Sequence, residues 1–467
     1  MLLEKIISTT NDALYSYLLI ILLVAGGIYF TVRTGFAQFR LLPQQIKSVT
    51  EKSDQKGVSS FQALMVSTAS RVGTGNIIGV ATALCMGGFG SVFWMWVIAI
   101  IGAASAFVES TLAQIYKKRG KDGCYGGPAY YIEAATKRRW LAILFSVFLI
   151  LTYGIGFNML ASYNLQSTFS SYSFYHASYT PWIIGAVIAL LVGYCLLGGG
   201  KRILSVTCVL VPIMGAIYIL VALVLSMINI NMMPSIFKQI FEGAFNFKAI
   251  FGGLSGSGLM YGIKRGLFSN EAGVGSAPNA SASAEVSHPV KQGLVQVLSV
   301  FIDTLLVCTA TAFMCMSSGV TPPTTSDQAA SYVQNALSAT LGDFGPIFIT
   351  VAMILFAFTT LLGNLFYVDK SIAYLFGKEL TGAVKTVYYI VASLVILVGA
   401  GLSADLLWGI ADITMGCMTL INMPMILYLG KYAFRALKDY ERKTKAGGEV
   451  TFCKKDIDLP HETDYWN

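Results

Sequence analysis

Charge is scarce in this chain. Asp, Glu, Lys and Arg make up 12% of its 467 residues against 55% hydrophobic ones, and the mean hydropathy is +0.65, which excludes a soluble globular domain of ordinary composition. Histidine is rarer still. Three residues at no helical spacing leave little from which to build a metal centre or a nucleophile–base pair, so neither an enzyme nor an organic cofactor is expected. The eight cysteines include no Cys-x-x-Cys pair, and Cys85, Cys195, Cys208, Cys308, Cys315 and Cys417 fall in apolar runs, where they read as packing residues. No connection is long enough for a separate soluble domain, which argues against a receptor, and no repeated pore lining or ring of like charge points to a channel.

What the chain has in abundance is apolar sequence. Crossing a hydrocarbon core of about 30 Å takes roughly 20 residues of helix, and about eleven such stretches can be read: 15–29, 61–84, 92–115, 141–168, 182–197, 203–228, 250–284, 293–316, 344–367, 386–400 and 406–429. The fold class expected is an all-α integral membrane protein.

The formal charge of +8 would suggest nucleic acid in a soluble chain, but its placement points to a lipid bilayer instead. Lys and Arg collect in alternate connections: Arg33, Arg40, Lys47, Lys52 and Lys56; Lys117, Lys118, Arg119, Lys121, Lys137, Arg138 and Arg139; Lys201 and Arg202; Lys291; Lys370 and Lys378. The opposite connections at 170–181 and 317–342 carry none. The positive-inside rule then places the amino terminus outside and the basic tail from Lys431 inside, in a multi-pass protein of the cell membrane. The lead from Glu4 to Asp12 lacks a basic n-region and cleavage site, so the first span reads as a retained helix. The polar stretch beyond Ala446 reads as a mobile cytoplasmic end.

Two spans are interrupted near their middle. The second contains Val72-Gly73-Thr74-Gly75-Asn76, and the seventh contains GLFSNEAGVGSAP from Gly266 to Pro278. A continuous helix over 61–84 would be about 36 Å long, with residues 71–76 at its centre. Backbone opened at that depth is tolerated only inside protein or along a cavity. Paired breaks at corresponding places in two halves mark the binding site of an inverted-repeat transporter. The chain divides on this reading into 1–59, with the first helix and a basic loop; 60–240, a first five-helix repeat broken at 71–76; 241–430, a second broken at 266–276; and a tail, 431–467. Amides freed after Thr74 and Gly75 could take a carboxylate, and carbonyls freed before them a hard cation. The same Gly-x-Gly also suits simple close packing of helices.

The segments ASRVGTGNIIGVATAL, GGPAYYIE (126–133) and RGLFSNEAGVGSAPNASA (265–282) resemble the signature segments of the alanine or glycine:cation symporter family, and the similarity extends over essentially all the spans. That family resembles, more distantly, the LeuT-type transporters, with a 5+5 inverted repeat and here one additional amino-terminal helix. The resemblance implies sodium-coupled uptake of a small neutral amino acid. It implies that the Thr74 and Gly75 amides hold the substrate carboxylate, and that Gly73, Phe268, Ser269, Asn270 and Thr360 belong to the substrate pocket. Sodium would lie between the Ala69 and Val72 carbonyls and the Phe356 carbonyl with the Thr359 and Thr360 hydroxyls. A second cation near Asn76, Ser269 and Asp303 or Thr304 is left open, as is proton coupling.

Two departures bear on the substrate. Asn364 stands where many family members carry tryptophan, and Ala161 and Tyr163 stand where a Gln-x-Asn pair is common. An asparagine in the pocket would admit a larger polar side chain such as glutamine, unless it only fills a helix contact. Of the charges inside spans, Arg71 and Glu109 are expected to pair, and Glu271 to satisfy freed backbone N–H groups. Arg265 has no evident partner, and Asp369, Asp405 and Asp412 read as interfacial. The GGPAYYIE connection reads as an interfacial strut or part of an inner gate.

Overall fold

The computed structural model describes residues 7, 9–11, 13–51, 57–120, 123–246 and 258–466. Lys52, Lys56, Lys121, the lead residues Glu4 and Asp12 and the start of the seventh expected span, 250–257, lie outside them.

Apolar runs become helices because every backbone amide is then satisfied within its own segment. The first is α1 (Leu19–Arg33), entered through a π turn at Leu14–Leu18, and α2 (Leu42–Thr50) follows. The second span begins with α3 (Ser60–Arg71), started by a capping box in which Ser59 and Gln62 exchange hydrogen bonds (3.2 and 2.9 Å). It resumes through a π turn at Gly75–Gly79 into α4 (Val80–Gly87). Then come α5 (Ser91–Ile115), two short antiparallel strands, β1 (Lys118–Gly120) and β2 (Gly123–Tyr125), and α6 (Pro128–Thr136). Long helices α7 (Arg139–Ser167), α8 (Thr180–Leu197) and α9 (Gly199–Ile228) are followed by the amphipathic α10 (Met233–Ala244). The seventh span is split into α11 (Gly258–Asn270) and the single turn α12 (Pro278–Ser281). The rest is α13 (Pro289–Met316), α14 (Ala329–Leu341), α15 (Phe344–Phe376), α16 (Gly382–Ala400) and α17 (Ala404–Lys445).

Eight of the described helices are long and apolar enough to cross a membrane, and α1 and Gly75–Gly87 are shorter apolar ones. Both expected breaks are present. At the second, Glu271, Gly273 and Gly275 take φ of 54, 84 and 94°, left-handed values that cost glycine nothing and a glutamate something. The broken helices lie at the centre. Helix α5 packs on α11, α13 and α1, while α3 is held between α9 and α15, leaving α8, α9 and α16 with rows of exposed Leu, Ile and Val for lipid.

The basic connections share one face, where Arg40 meets Glu441 at the end of α17 (2.7 Å). The segment beyond Ala446 is not a loose end: it folds back over this face, with Trp466 and Ile457 buried. Its aromatic residues find apolar neighbours and carbonyls there, which its polar composition concealed.

Candidate functional site

The two breaks face each other. Ser70, Arg71, Gly73, Thr74 and Gly75 from the first, Phe268 from α11, Phe157 from α7 and Thr360 from α15 enclose a cavity of about 10 Å³, the room of roughly one water molecule. Glycine is required where they touch. A Cβ on Gly75 would lie 2.7 Å from the Phe268 ring, and one on Gly73 would lie 1.9 Å from Thr360 Oγ1. The Phe268 ring also stacks on Phe157 and meets Trp408 edge-on, with centroids 4.4 and 4.8 Å apart. A second, wider cavity of about 530 Å³ is lined by Met86, Tyr163, Asp327 and Asp405, among others.

Of the residues singled out for substrate, Gly73, Thr74, Gly75, Phe268 and Thr360 line the cavity. Three do not. Asn364 stands one layer behind, accepting from Ser70 Oγ (2.7 Å) and donating to Asn158 Oδ1 (3.0 Å). Asn270 turns Oδ1 to the Ala272 amide (3.0 Å), which caps the end of α11. Ser269 points away to Asp303 (2.7 Å). Ser70, Arg71 and Phe157 were missed as lining residues.

Around the expected sodium position, α15 comes close to the first break through bare backbone. A Cβ on Gly363 would lie 2.6 Å from the Ser70 nitrogen and 3.2 Å from the Ala69 carbonyl carbon. The two threonines differ. Thr359 Oγ1 turns back on its own helix, to the carbonyls of Leu355 (3.0 Å) and Phe356 (3.2 Å), beside Met214 of α9. Thr360 Oγ1 is buried and has no hydrogen-bond partner among the described residues.

The second group of oxygens also assembles. Asp303, in a π turn of α13, accepts from Ser269 Oγ, Thr304 Oγ1 and Asn76 Nδ2, each at 2.7 Å. Asn76 Oδ1 takes the Gly73 amide (2.8 Å), so one side chain ties the first break to α13.

The buried charges pair differently from expectation. Arg71 and Glu109 make no ion pair. Arg71 donates to Gln296 Oε1 (2.8 Å), with Nε and Nη2 lacking partners among the described residues. Glu109 takes the freed Gly273 amide (3.3 Å) and Asn422 Nδ2 (2.9 Å), the role expected of Glu271. Glu271 instead accepts two hydroxyls, Ser70 (3.0 Å) and Ser276 (2.6 Å), and so links one break to the other. Asp412 is not interfacial: fully buried, it receives Arg265 (3.2 Å) and Lys264 (3.0 Å), and Arg265 lies 3.8 Å over the Trp408 ring. Amides isolated in apolar runs, such as Asn158, Gln296 and Asn422, were the available signal for these networks, since a polar side chain at membrane depth needs a partner.

The GGPAYYIE segment meets the second break at Asn279 and Ala282, on the side of the basic connections. A Cβ on Gly126 would touch Ala282 and one on Gly127 would touch Asn279, and the Tyr131 hydroxyl bonds Asn422 Oδ1.

The model of the sodium:alanine symporter family matches residues 1–454. The amino-acid carrier protein AlsT of Bacillus subtilis is 40% identical over 464 residues, covering 99% of this chain and 97% of its own. A second Bacillus subtilis protein, the "Probable sodium/glutamine symporter GlnT", is 42% identical over 97% of this chain and 94% of its own. The sodium/alanine symporter AgcS of Methanococcus maripaludis is 36% identical over 95% of this chain and 98% of its own.

Proposed function

We infer the function from one premise: the chain belongs to the sodium:alanine symporter family. It is a multi-pass membrane protein that couples the entry of sodium to that of a small neutral amino acid, with sodium as co-transported cargo. The observation that carries this is the closed cavity between two broken helices, where Thr74 and Gly75 begin the next helical segment and the Thr360 hydroxyl is left without a partner among the described residues.

The details are our proposal. The substrate carboxylate sits on the Thr74 and Gly75 amides, with Phe268 as its cover. Sodium lies among the Ala69, Val72 and Phe356 carbonyls and Thr360, with Thr359 supporting through its own helix. The cluster of Asn76, Ser269, Asp303 and Thr304 is the place for a second cation. The fold is the LeuT-type 5+5 inverted repeat over 60–240 and 241–430, with α1 added, eleven spans in all, the amino terminus outside and the basic face in the cytoplasm. One sodium ion moving down about 100 mV and a tenfold gradient releases roughly 3.7 kcal/mol, enough to concentrate a neutral amino acid several hundredfold.

Alanine or glycine is the substrate favoured by membership of the sodium:alanine symporter family, and the one-water cavity must widen to admit either. Glutamine is the second reading, favoured by the buried Asn364–Asn158 amide pair beside Ser70. The test is uptake of labelled alanine, glycine and glutamine into proteoliposomes under an imposed sodium gradient, with a proton gradient as control. Accumulation above equilibrium that needs sodium supports the assignment. Equilibration without accumulation, or accumulation driven by protons alone, overturns it.

A further inference from the structure

The inner ends of the two broken helices meet at one point. Val58, just ahead of α3, pairs with Ala284, just beyond α12, and the Glu285 amide donates to the Val58 carbonyl (2.9 Å). Both α3 and α12 run from the cavity to the basic face. A path from the cavity to that face therefore requires them to part, and this pairing is one of the contacts that must break.

The same point is tied to the end of α5. Gln114 Nε2 donates to the carbonyls of Ser281 (2.5 Å) and Ala284 (2.8 Å), and Lys117 Nζ to that of Ala284 (3.0 Å). Lys117 is fully buried and makes no close ion pair among the described residues, the Glu285 carboxylate acting on it at longer range. Its ammonium instead lies 3.9 Å from the Tyr465 ring centroid and 4.8 Å from that of Trp466, so the chain's terminal segment supplies the faces that compensate its desolvation. Trp466 Nε1 further donates to the Gln114 carbonyl (2.7 Å), and Asp464 accepts the Arg119 amide (2.7 Å). At the other edge Ser287 Oγ bonds the Val450 carbonyl (2.7 Å), and Phe452 packs between His288 and Trp466.

We propose that Gln114 and Lys117 are positioning residues of the inner gate, and that the segment 447–466 is a strap that keeps the gate closed by capping them. The strap touches nothing in the cavity and acts only through the end of α5. When it lifts, the Lys117 ammonium loses its aromatic cover and is drawn to water, Ala284 loses a donor, and α3 and α12 are freed to separate. Which face opens inward rests on the transport function and cytoplasmic basic face proposed above; the contacts do not.

The experiment is hydrogen exchange on the full chain in nanodiscs, comparing wild type with Trp466→Ala and Lys117→Met. Both substitutions should speed exchange of the amides at 281–288 about tenfold, the equivalent of one lost hydrogen bond. In proteoliposomes both should raise the external sodium concentration for half-maximal uptake while leaving the maximal rate at or above wild type. A purely structural role would lower the maximal rate instead. If Trp466→Ala exposes 450–466 to exchange while 281–288 keep wild-type protection, the strap does not control the gate. Should the segment stay docked in that variant, a chain ending at Ala446 gives the same reading, and unchanged protection there also overturns the proposal. Lack of sodium-dependent uptake in wild type would sink the transport assignment and leave the exchange result standing.

Discussion

Thr360 Oγ1 rests against the bare Cα of Gly73, so close that a Cβ on the glycine would fall 1.9 Å from the hydroxyl. A donor and acceptor buried without a partner costs about 1–3 kcal/mol, and at this spot the natural partner is a bound ion or substrate. Thr360→Ala should therefore raise the sodium concentration for half-maximal uptake roughly tenfold or more. Thr359→Ala should shift it less, because that hydroxyl is already engaged by its own helix. Equal shifts, or none in Thr360→Ala, would remove Thr360 from the cage.

Gly75 has the Phe268 ring against it. Gly75→Val should abolish binding of labelled substrate, since the added atoms occupy both the carboxylate position and the ring's place. Insertion and detergent extraction should be preserved. Near-normal affinity in this variant would contradict the carboxylate assignment.

Asn364 is a test of specificity. Asn364→Ala takes the donor from Asn158 Oδ1 and leaves the Ser70 hydroxyl to Glu271 alone, a change of about 1–3 kcal/mol. If the amide pair serves a glutamine side chain, glutamine uptake falls while alanine uptake is largely kept; if it serves only packing, both fall together with thermal stability. Uptake of each amino acid under a fixed sodium gradient separates these outcomes. Asn364→Trp is expected to overpack the site, because Asn364 is fully buried behind Ser70.

Asp412 balances Arg265 and Lys264 without access to water. Asp412→Asn removes the buried carboxylate charge that faces Arg265 and should cost about 3–5 kcal/mol, seen as a marked fall in the unfolding temperature of the purified protein. Combining it with Arg265→Met should restore part of that loss. A double variant no better than the single one would mean that the charges act independently.

His288 supplies a pH dependence on the basic face. Burial pushes its pKa down from 6.5 to about 4, with Lys443 and Lys291 adding to the effect and Asp439 opposing it; Tyr440 and Phe452 also pack on the ring. The unfolded chain takes up a proton below pH 6.5 and the folded one only near 4, so stability falls as pH drops between those values, by up to roughly 3 kcal/mol. Unfolding temperatures from pH 7 to 5 should fall more steeply in wild type than in His288→Gln. Parallel curves would show that the ring is protonated without penalty.

What the sequence determined by itself is what local chemistry decides. Hydropathy placed the apolar helices, alternating Lys and Arg identified the connections now found on one face, and glycines marked both breaks, Gly273 and Gly275 because their backbone torsion is left-handed and Gly73 and Gly75 because side chains press against them. Tertiary structure alone decided the partners. Arg265 and Asp412 are 147 residues apart, Asn76 and Asp303 are 227 apart, and which of two adjacent threonines faces the cavity depends on the rotation of α15 against α3. Those distances follow from how helices pack, and a buried charge or hydroxyl takes whichever partner that packing brings within hydrogen-bond reach. The terminal segment is the clearest instance: its composition reads as a solvated tail, and only the surface made by the ends of α5, α12 and α17 gives its aromatic side chains a place to bind.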